Sequence, residues 1–162
     1  MNMHNPACSC SYDLYLGITA PIGTLGRHWI LILVNPAMQS SNLYWTKPDP
    51  SAQRGYTRTR NRNVDLRSTP LSDIVLLGNI QAKDLETFEK VFYNLDVTWN
   101  RKFAAMFIMN LVIEGFLESL VARDVLMASW VGGYRWRFLD VGVSDDESTT
   151  SSIRSRRLYI PG

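Results

Sequence analysis

The sequence has few of the residues that build covalent or metal-linked scaffolds. Its 162 residues include only two cysteines, Cys8 and Cys10, and two histidines. One residue separates the cysteines and no second ligand pair accompanies them, so neither a disulfide framework nor a metal site is predicted. We expect no cofactor. The scarcity of cysteine indicates a reducing compartment, and we expect a cytoplasmic protein.

Long apolar runs and an excess of one charge are also missing. The longest apolar run, Trp29 to Val34, falls far short of the roughly 20 residues that a membrane-spanning helix needs. No apolar stretch led by Lys or Arg opens the sequence, so a secretory signal is not expected. The 17 basic and 15 acidic residues give a formal charge of +2. This balance does not favour a nucleic-acid partner, and no membrane span is expected.

Apolar residues are abundant enough for one folded domain. They make up 46% of the chain, and 11% of the residues are aromatic, which excludes global disorder. Residues 1–11 lack periodicity and are predicted to form a flexible leader. Residues 12–141 are predicted to form a single domain. Residues 142–162 are polar, with an acidic stretch followed by arginines, and are predicted to be a mobile tail.

The first half of the domain carries the pattern of β-strands. The apolar run from His28 to Asn35, bounded by Gly26 and Pro36, predicts a central strand buried on both faces. The other predicted strands are residues 12–20, 42–46, 55–66 and 73–80.

The second half changes to a helical period. Helices are predicted over residues 84–93, 101–114 and 118–130, with Asn100 as the N-cap of the second. Strands followed by helices indicate an α+β fold. We therefore expect an antiparallel sheet of four to five strands packed against two or three helices.

Several short motifs follow one another in a recognisable order. His28-Trp29 begins the buried strand, Gly55-Tyr56 follows the hairpin, Leu76-Leu77-Gly78 lies in the last strand, and Trp99-Asn100 begins the apolar helix. In this order they resemble small fungal proteins related to the permuted papain-like superfamily, which includes the lecithin:retinol acyltransferase and NlpC/P60-type enzymes. The resemblance implies a permuted papain-like fold. In that fold a strand histidine serves as the base for a cysteine at a helix N-terminus.

The resemblance covers residues 12–120 and breaks down at the nucleophile. The family pattern places cysteine directly after Trp-Asn, where this sequence has Arg101, and arginine cannot form an acyl intermediate. Where the family often has a second histidine or similar polar group, this sequence has Tyr44-Trp45. We expect His28 to transfer a proton and Arg101 to stabilise an anion. Tyr44, Trp45 and Trp99-Asn100 are expected to bind the substrate.

These expectations describe a repurposed, non-hydrolytic protein. We predict that it binds a small apolar or anionic metabolite and catalyses its cyclisation or isomerisation in fungal secondary metabolism. One alternative is a catalytically inactive interaction module that assembles with a biosynthetic partner enzyme or with itself, through the aromatic segment Trp130–Phe138. A hydrolase with a serine or tyrosine nucleophile is a second alternative, but no Gly-x-Ser-x-Gly elbow supports it. His28 as an ordinary core histidine and Arg101 facing solvent are the simplest structural outcomes.

A ladder of arginines is the strongest local charge feature. The predicted strand over residues 55–66 places Arg58, Arg60 and Arg62 on one face, and Asp65 is the only acidic residue that opposes the ladder. We expect a solvated edge strand on which charge prevents further pairing, with a docking face for an anionic ligand or acidic partner as the alternative. The ladder comprises Arg54, Arg58, Arg60, Arg62 and Arg67.

Overall fold

Five strands precede three helices along the chain. The computed structural model describes residues 10–21, 26–38 and 40–131, with side chains up to residue 126. The strands are β1 (Ser11–Thr19), β2 (Trp29–Asn35), β3 (Ser40–Pro48), β4 (Tyr56–Val64) and β5 (Leu71–Gln81). The helices are α1 (Leu85–Asn94), α2 (Asn100–Ile113) and α3 (Ser119–Val131). The predicted α+β class is therefore confirmed, and each predicted strand and helix has a counterpart.

The strands form one antiparallel sheet in the order β4-β3-β2-β1-β5. Strand β2 lies at its centre, and neighbouring residues of β2 face opposite sides because side chains alternate along a strand. Trp29, Leu31 and Leu33 belong to the core on the helix side, whereas Ile30 and Ile32 belong to a second apolar cluster. The prediction of a central strand buried on both faces is confirmed.

Aromatic side chains join the helices to the sheet. Helix α1 presents Phe88 and Phe92 one turn apart, and α2 presents Phe103 and Phe107 with the same spacing. All four are at most 1% exposed. The ring centroid of Tyr44, on β3, lies 5.2 Å from that of Phe88 and 5.1 Å from that of Phe92, both edge to face. This aromatic cluster fixes α1 and α2 against the same face of the sheet.

Two arginines of the ladder attach α1 to the sheet. Strand β4 is an edge strand, as predicted. However, Arg58 donates to the carbonyl of Leu95. Arg60 lies 2.7 Å from a carboxylate oxygen of Glu89, and its side chain is only 17% exposed. The prediction of solvated arginines is therefore wrong at these two positions, because Glu89 of α1 and Leu95, the residue after α1, supply acceptors.

Other predictions concern residues that lie outside the described ranges. The aromatic segment Trp130–Phe138 lies outside them, apart from the backbone of its first two residues, as do residues 1–9 of the leader and the polar tail. Within the described part of the chain, no helix is both long and apolar enough to cross a membrane. The permuted papain-like relationship stays a prediction.

Candidate functional site

Helix α2 begins where strands β2 and β3 separate. The pairing of β2 with β3 runs from Asn35 opposite Ser40 to Leu31 opposite Tyr44. The same register would bring Trp29 opposite Thr46, but the side chain of Asn100 occupies that place. Its Oδ1 accepts from the Trp29 N–H at 2.6 Å, and its Nδ2 donates to the carbonyls of Trp29 and Thr46 at 3.0 and 3.1 Å. The side-chain amide therefore replaces the backbone bonds where the strands separate.

This use of the amide corrects the predicted role of Asn100. Trp99 is the N-cap residue of α2, Asn100 is the first helical residue, and no side chain caps the helix. Asn100 is only 9% exposed. A fourth bond at this junction runs from Thr46 Oγ1, which donates to the carbonyl of Thr98 at 2.9 Å. Together these contacts fix the start of α2 against the ends of β2 and β3.

A cleft opens beside this junction. Its volume is about 290 Å³, and three parts of the fold line it. The segment before β2, the ends of the β3–β4 hairpin and the start of α2 each contribute. The cleft contains four of the six predicted site residues, His28, Trp99, Asn100 and Arg101, together with Arg27, Pro48 and Tyr56.

The backbone of His28, directly before β2, makes two hydrogen bonds to Thr19. Its N–H donates to Thr19 Oγ1 at 2.9 Å, and its carbonyl accepts from the Thr19 N–H at 2.9 Å. Partial burial lowers the pKa of the imidazole below its ordinary value of 6.5, because burial disfavours the charged form. His28 is therefore mainly neutral at pH 7 and is able to accept a proton.

The charge of the cleft lining is positive. Arg27 and Arg101 both contribute to it, and no residue of the described lining is acidic. The first turn of α2 contains no acidic residue either, although a helix N-terminus favours negative charge. The guanidinium of Arg27 also contacts β5, where it lies 3.3 Å from Ser72 Oγ and 4.0 Å from an Asp73 carboxylate oxygen. The cleft is therefore suited to an electron-rich or anionic group.

Tyr44 and Trp45 lie away from this cleft. Tyr44 is fully buried in the aromatic cluster, and its hydroxyl donates to Glu89 at 2.6 Å. Burial, together with the neighbouring Glu89 carboxylate, raises the pKa of Tyr44. Trp45 packs against the second apolar cluster, on the opposite face of the sheet. The structure thus separates both from the four residues with which they were grouped.

Three residues of the lining, Arg27, Pro48 and Tyr56, were not predicted as site residues. Arg27 precedes His28 directly, and its charge beside a candidate base was an available signal. Tyr56 begins β4 after Gly55, whose φ of 73° belongs to the left-handed region that glycine adopts readily. Pro48 ends β3 on the other side of this turn. Only the pairing of Pro48 with Tyr56 brings these two residues to the cleft.

The described residues contain no cluster of three or more His, Cys, Asp or Glu side chains able to hold a metal ion. No protein-family model, curated protein or solved structure matches this chain. The functional interpretation therefore depends on the geometry and chemistry of the cleft.

Proposed function

We propose that the cleft binds a small, mainly apolar metabolite and isomerises or cyclises it without a cofactor. The observation that supports this proposal is that His28 and Arg101, which come from different elements, line the same cleft. The resemblance to permuted papain-like proteins adds that Arg101 stands where a nucleophilic cysteine is expected. Since arginine stays protonated and forms no acyl intermediate, the reaction proceeds by proton transfer alone.

The proposed reaction begins at a carbon next to a carbonyl group. Neutral His28 removes a proton from this carbon, and the electron pair of the C–H bond moves to form an enolate. The guanidinium of Arg101 stabilises the negative charge on the enolate oxygen. In a β,γ-unsaturated ketone this enolate is conjugated with the C=C bond, so protonated His28 returns the proton to the γ-carbon. The C=O bond re-forms and the C=C bond moves to the α,β-position, which completes an isomerisation. No net oxidation or reduction occurs, so the protein needs no redox partner.

Deuterium exchange tests this proposal without knowledge of the natural substrate. The purified protein is incubated in D₂O with a panel of small β,γ-unsaturated and cyclic ketones, and deuterium incorporation is followed by mass spectrometry. We expect the wild-type protein to accelerate exchange. His28→Gln and Arg101→Gln should each slow it by about a hundredfold, the usual contribution of a positioned base or of an oxyanion-stabilising group.

Lys102 supplies the matched control. It is the next cation on the same helix, is exposed and does not line the cleft. Lys102→Gln should therefore leave the exchange rate unchanged. Exchange no faster than in buffer, or equal rates in wild type and His28→Gln, would contradict the proposal.

An interaction module is the second candidate function. Helix α2 is apolar around most of its circumference, and Met109 and Ile113, one turn apart, are 54% and 76% exposed. Exposed apolar side chains on one helix face favour a protein contact. Light scattering after size exclusion tests self-association against the monomer mass of 18.5 kDa. A larger mass that Met109→Lys with Ile113→Lys returns to the monomer value would support this candidate, and a monomeric wild type would contradict self-association.

A further inference from the structure

The size of the cleft indicates a small ligand. Its volume is about 290 Å³, near the lower end of the roughly 300–1,000 Å³ found for ligand pockets. A compact molecule with one ring therefore matches the cleft in size. A single phosphate or acetate ion would leave most of the space to water.

The polar part of the lining carries cationic donors. Arg27 and Arg101 have N–H donors and no acceptor, and the neutral imidazole of His28 has one donor and one acceptor. Asn100 contributes little to a ligand, because its amide already makes three bonds to Trp29 and Thr46. A ligand that presents acceptors therefore matches the two guanidinium groups. A carboxylate is the group whose two oxygens match a guanidinium.

The rest of the lining consists of Trp99, Tyr56 and Pro48. Trp99 is 43% exposed, and Tyr56 and Pro48 lie with it in the lining. Aromatic side chains contact a planar ring over a large area and favour stacked or edge-to-face arrangements. A partly exposed tryptophan beside a cleft thus favours a ligand that carries a ring.

We infer that the cleft selects a compact aromatic carboxylate, held by its carboxylate at Arg101 and His28 and by its ring against Trp99 and Tyr56. This inference goes beyond the proposed function: it concerns the ligand class that the same cleft binds and does not use His28 as a base. It commits to one charged group and one planar body of about the size of a phenylpropanoid acid. The carboxylate supplies acceptors to the cationic side, and the ring covers the aromatic side.

Isothermal titration with three probes tests the inference. trans-Cinnamate carries both ring and carboxylate, cinnamyl alcohol carries the ring alone, and acetate carries the carboxylate alone. We expect cinnamate to bind the wild-type protein at least tenfold more tightly than either of the other probes. Arg101→Gln and Trp99→Leu should each weaken cinnamate binding at least tenfold, whereas Lys102→Gln should leave it within twofold. Circular dichroism of each variant verifies that it is folded.

The outcomes separate this inference from the proposed function. Cinnamyl alcohol binding as tightly as cinnamate would overturn the carboxylate assignment, and acetate binding as tightly would overturn the aromatic assignment. Equal cinnamate affinity in wild type and Arg101→Gln would overturn the placement of the carboxylate, and the absence of any binding would overturn the inference as a whole. None of these results decides the deuterium-exchange assay with neutral ketones, which tests the proposed function separately.

Discussion

Replacement of Asn100 should reveal how strongly the junction between α2 and the central strands is held. Asn100→Ala removes three buried hydrogen bonds, to the N–H of Trp29 at 2.6 Å and to the carbonyls of Trp29 and Thr46 at 3.0 and 3.1 Å. A buried backbone group without a partner costs about 1–3 kcal/mol. Water that enters from the adjacent cleft offsets part of this cost. We therefore expect the free energy of unfolding to fall by about 3 kcal/mol.

Asn100→Asp provides a second, pH-dependent test at the same position. Its carboxylate would face two carbonyl oxygens that the Asn100 Nδ2 contacts at 3.0 and 3.1 Å, so the folded state would disfavour the charged form and raise the pKa of the new side chain above its unfolded value. When the pKa of a group is higher in the folded than in the unfolded state, the group contributes stability at low pH, and this contribution is lost as pH rises through the folded-state pKa. The Asp variant should therefore lose at least as much stability as the Ala variant at pH 7 and recover part of it towards pH 4.

Urea unfolding monitored by circular dichroism measures both variants. Asn110→Ala is the matched control, because Asn110 lies on the same helix and makes one bond, to the carbonyl of Met106 at 2.8 Å. The free energy of unfolding of the Asn110→Ala variant should fall by less than about 1 kcal/mol. An Asn100→Ala variant no less stable than this control, or an Asp variant with the pH dependence of the wild type, would refute the role assigned to the amide.

Two further substitutions test the packing on either face of the sheet. Glu89→Ala removes the carboxylate that binds Arg60 at 2.7 Å and Tyr44 at 2.6 Å. Urea unfolding should show a loss of about 3 kcal/mol, since the Arg60 guanidinium, whose side chain is only 17% exposed, loses its carboxylate partner; a loss below about 1 kcal/mol would contradict the assignment. Gly17→Ala would place a Cβ 2.6 Å from Ile32 Cδ1 and should cost about 1 kcal/mol. Adding Ile32→Val, which removes that atom, should restore part of the loss in thermal unfolding, and an additive double variant would contradict a direct clash.

Local pattern predicted the elements of the fold because each one carries its own signal. The run His28 to Asn35 is rich in Ile, Leu and Val and lies between Gly26 and Pro36, which defines a buried strand without further information. Strand β2 begins at Trp29 and ends at Asn35. The change to helical spacing after residue 84 similarly predicted α1.

Long-range contacts explain the predictions that failed. Asparagine is a preferred N-cap residue, but the side-chain amide of Asn100 binds backbone groups of β2 and β3 instead. One of these partners, Trp29, lies 71 positions away in the sequence. Alternation along β3 predicts that Tyr44 and Trp45 face opposite sides, but it does not tell which side the helices cover. Arg60 has the pattern of an exposed edge residue until Glu89 of α1 packs against it.

In the candidate site, too, local sequence patterns and long-range contacts have separate parts. His28 and Arg101 were selected from motifs and from a family resemblance, whereas their placement around one cleft depends on the junction made by Asn100. Tyr56 joins them through the β3–β4 hairpin, whose pairing of Pro48 with Tyr56 depends on the turn between the strands. Local sequence selected His28 and Arg101 as candidates, and tertiary structure determined which other residues line the cleft with them.

The most direct measurement of the central claim is an NMR titration of the His28 imidazole with and without trans-cinnamate. In the free protein, burial holds the pKa of His28 below 6.5. A carboxylate bound beside the imidazole should favour its protonated form and raise this pKa. Cinnamate should therefore bind more tightly as pH falls below 7, and His28 should take up a proton when it binds. His28→Gln identifies the resonance. A higher pKa at saturating cinnamate is the predicted result, and an unchanged or lower pKa would contradict an anion-binding cleft at His28 and Arg101.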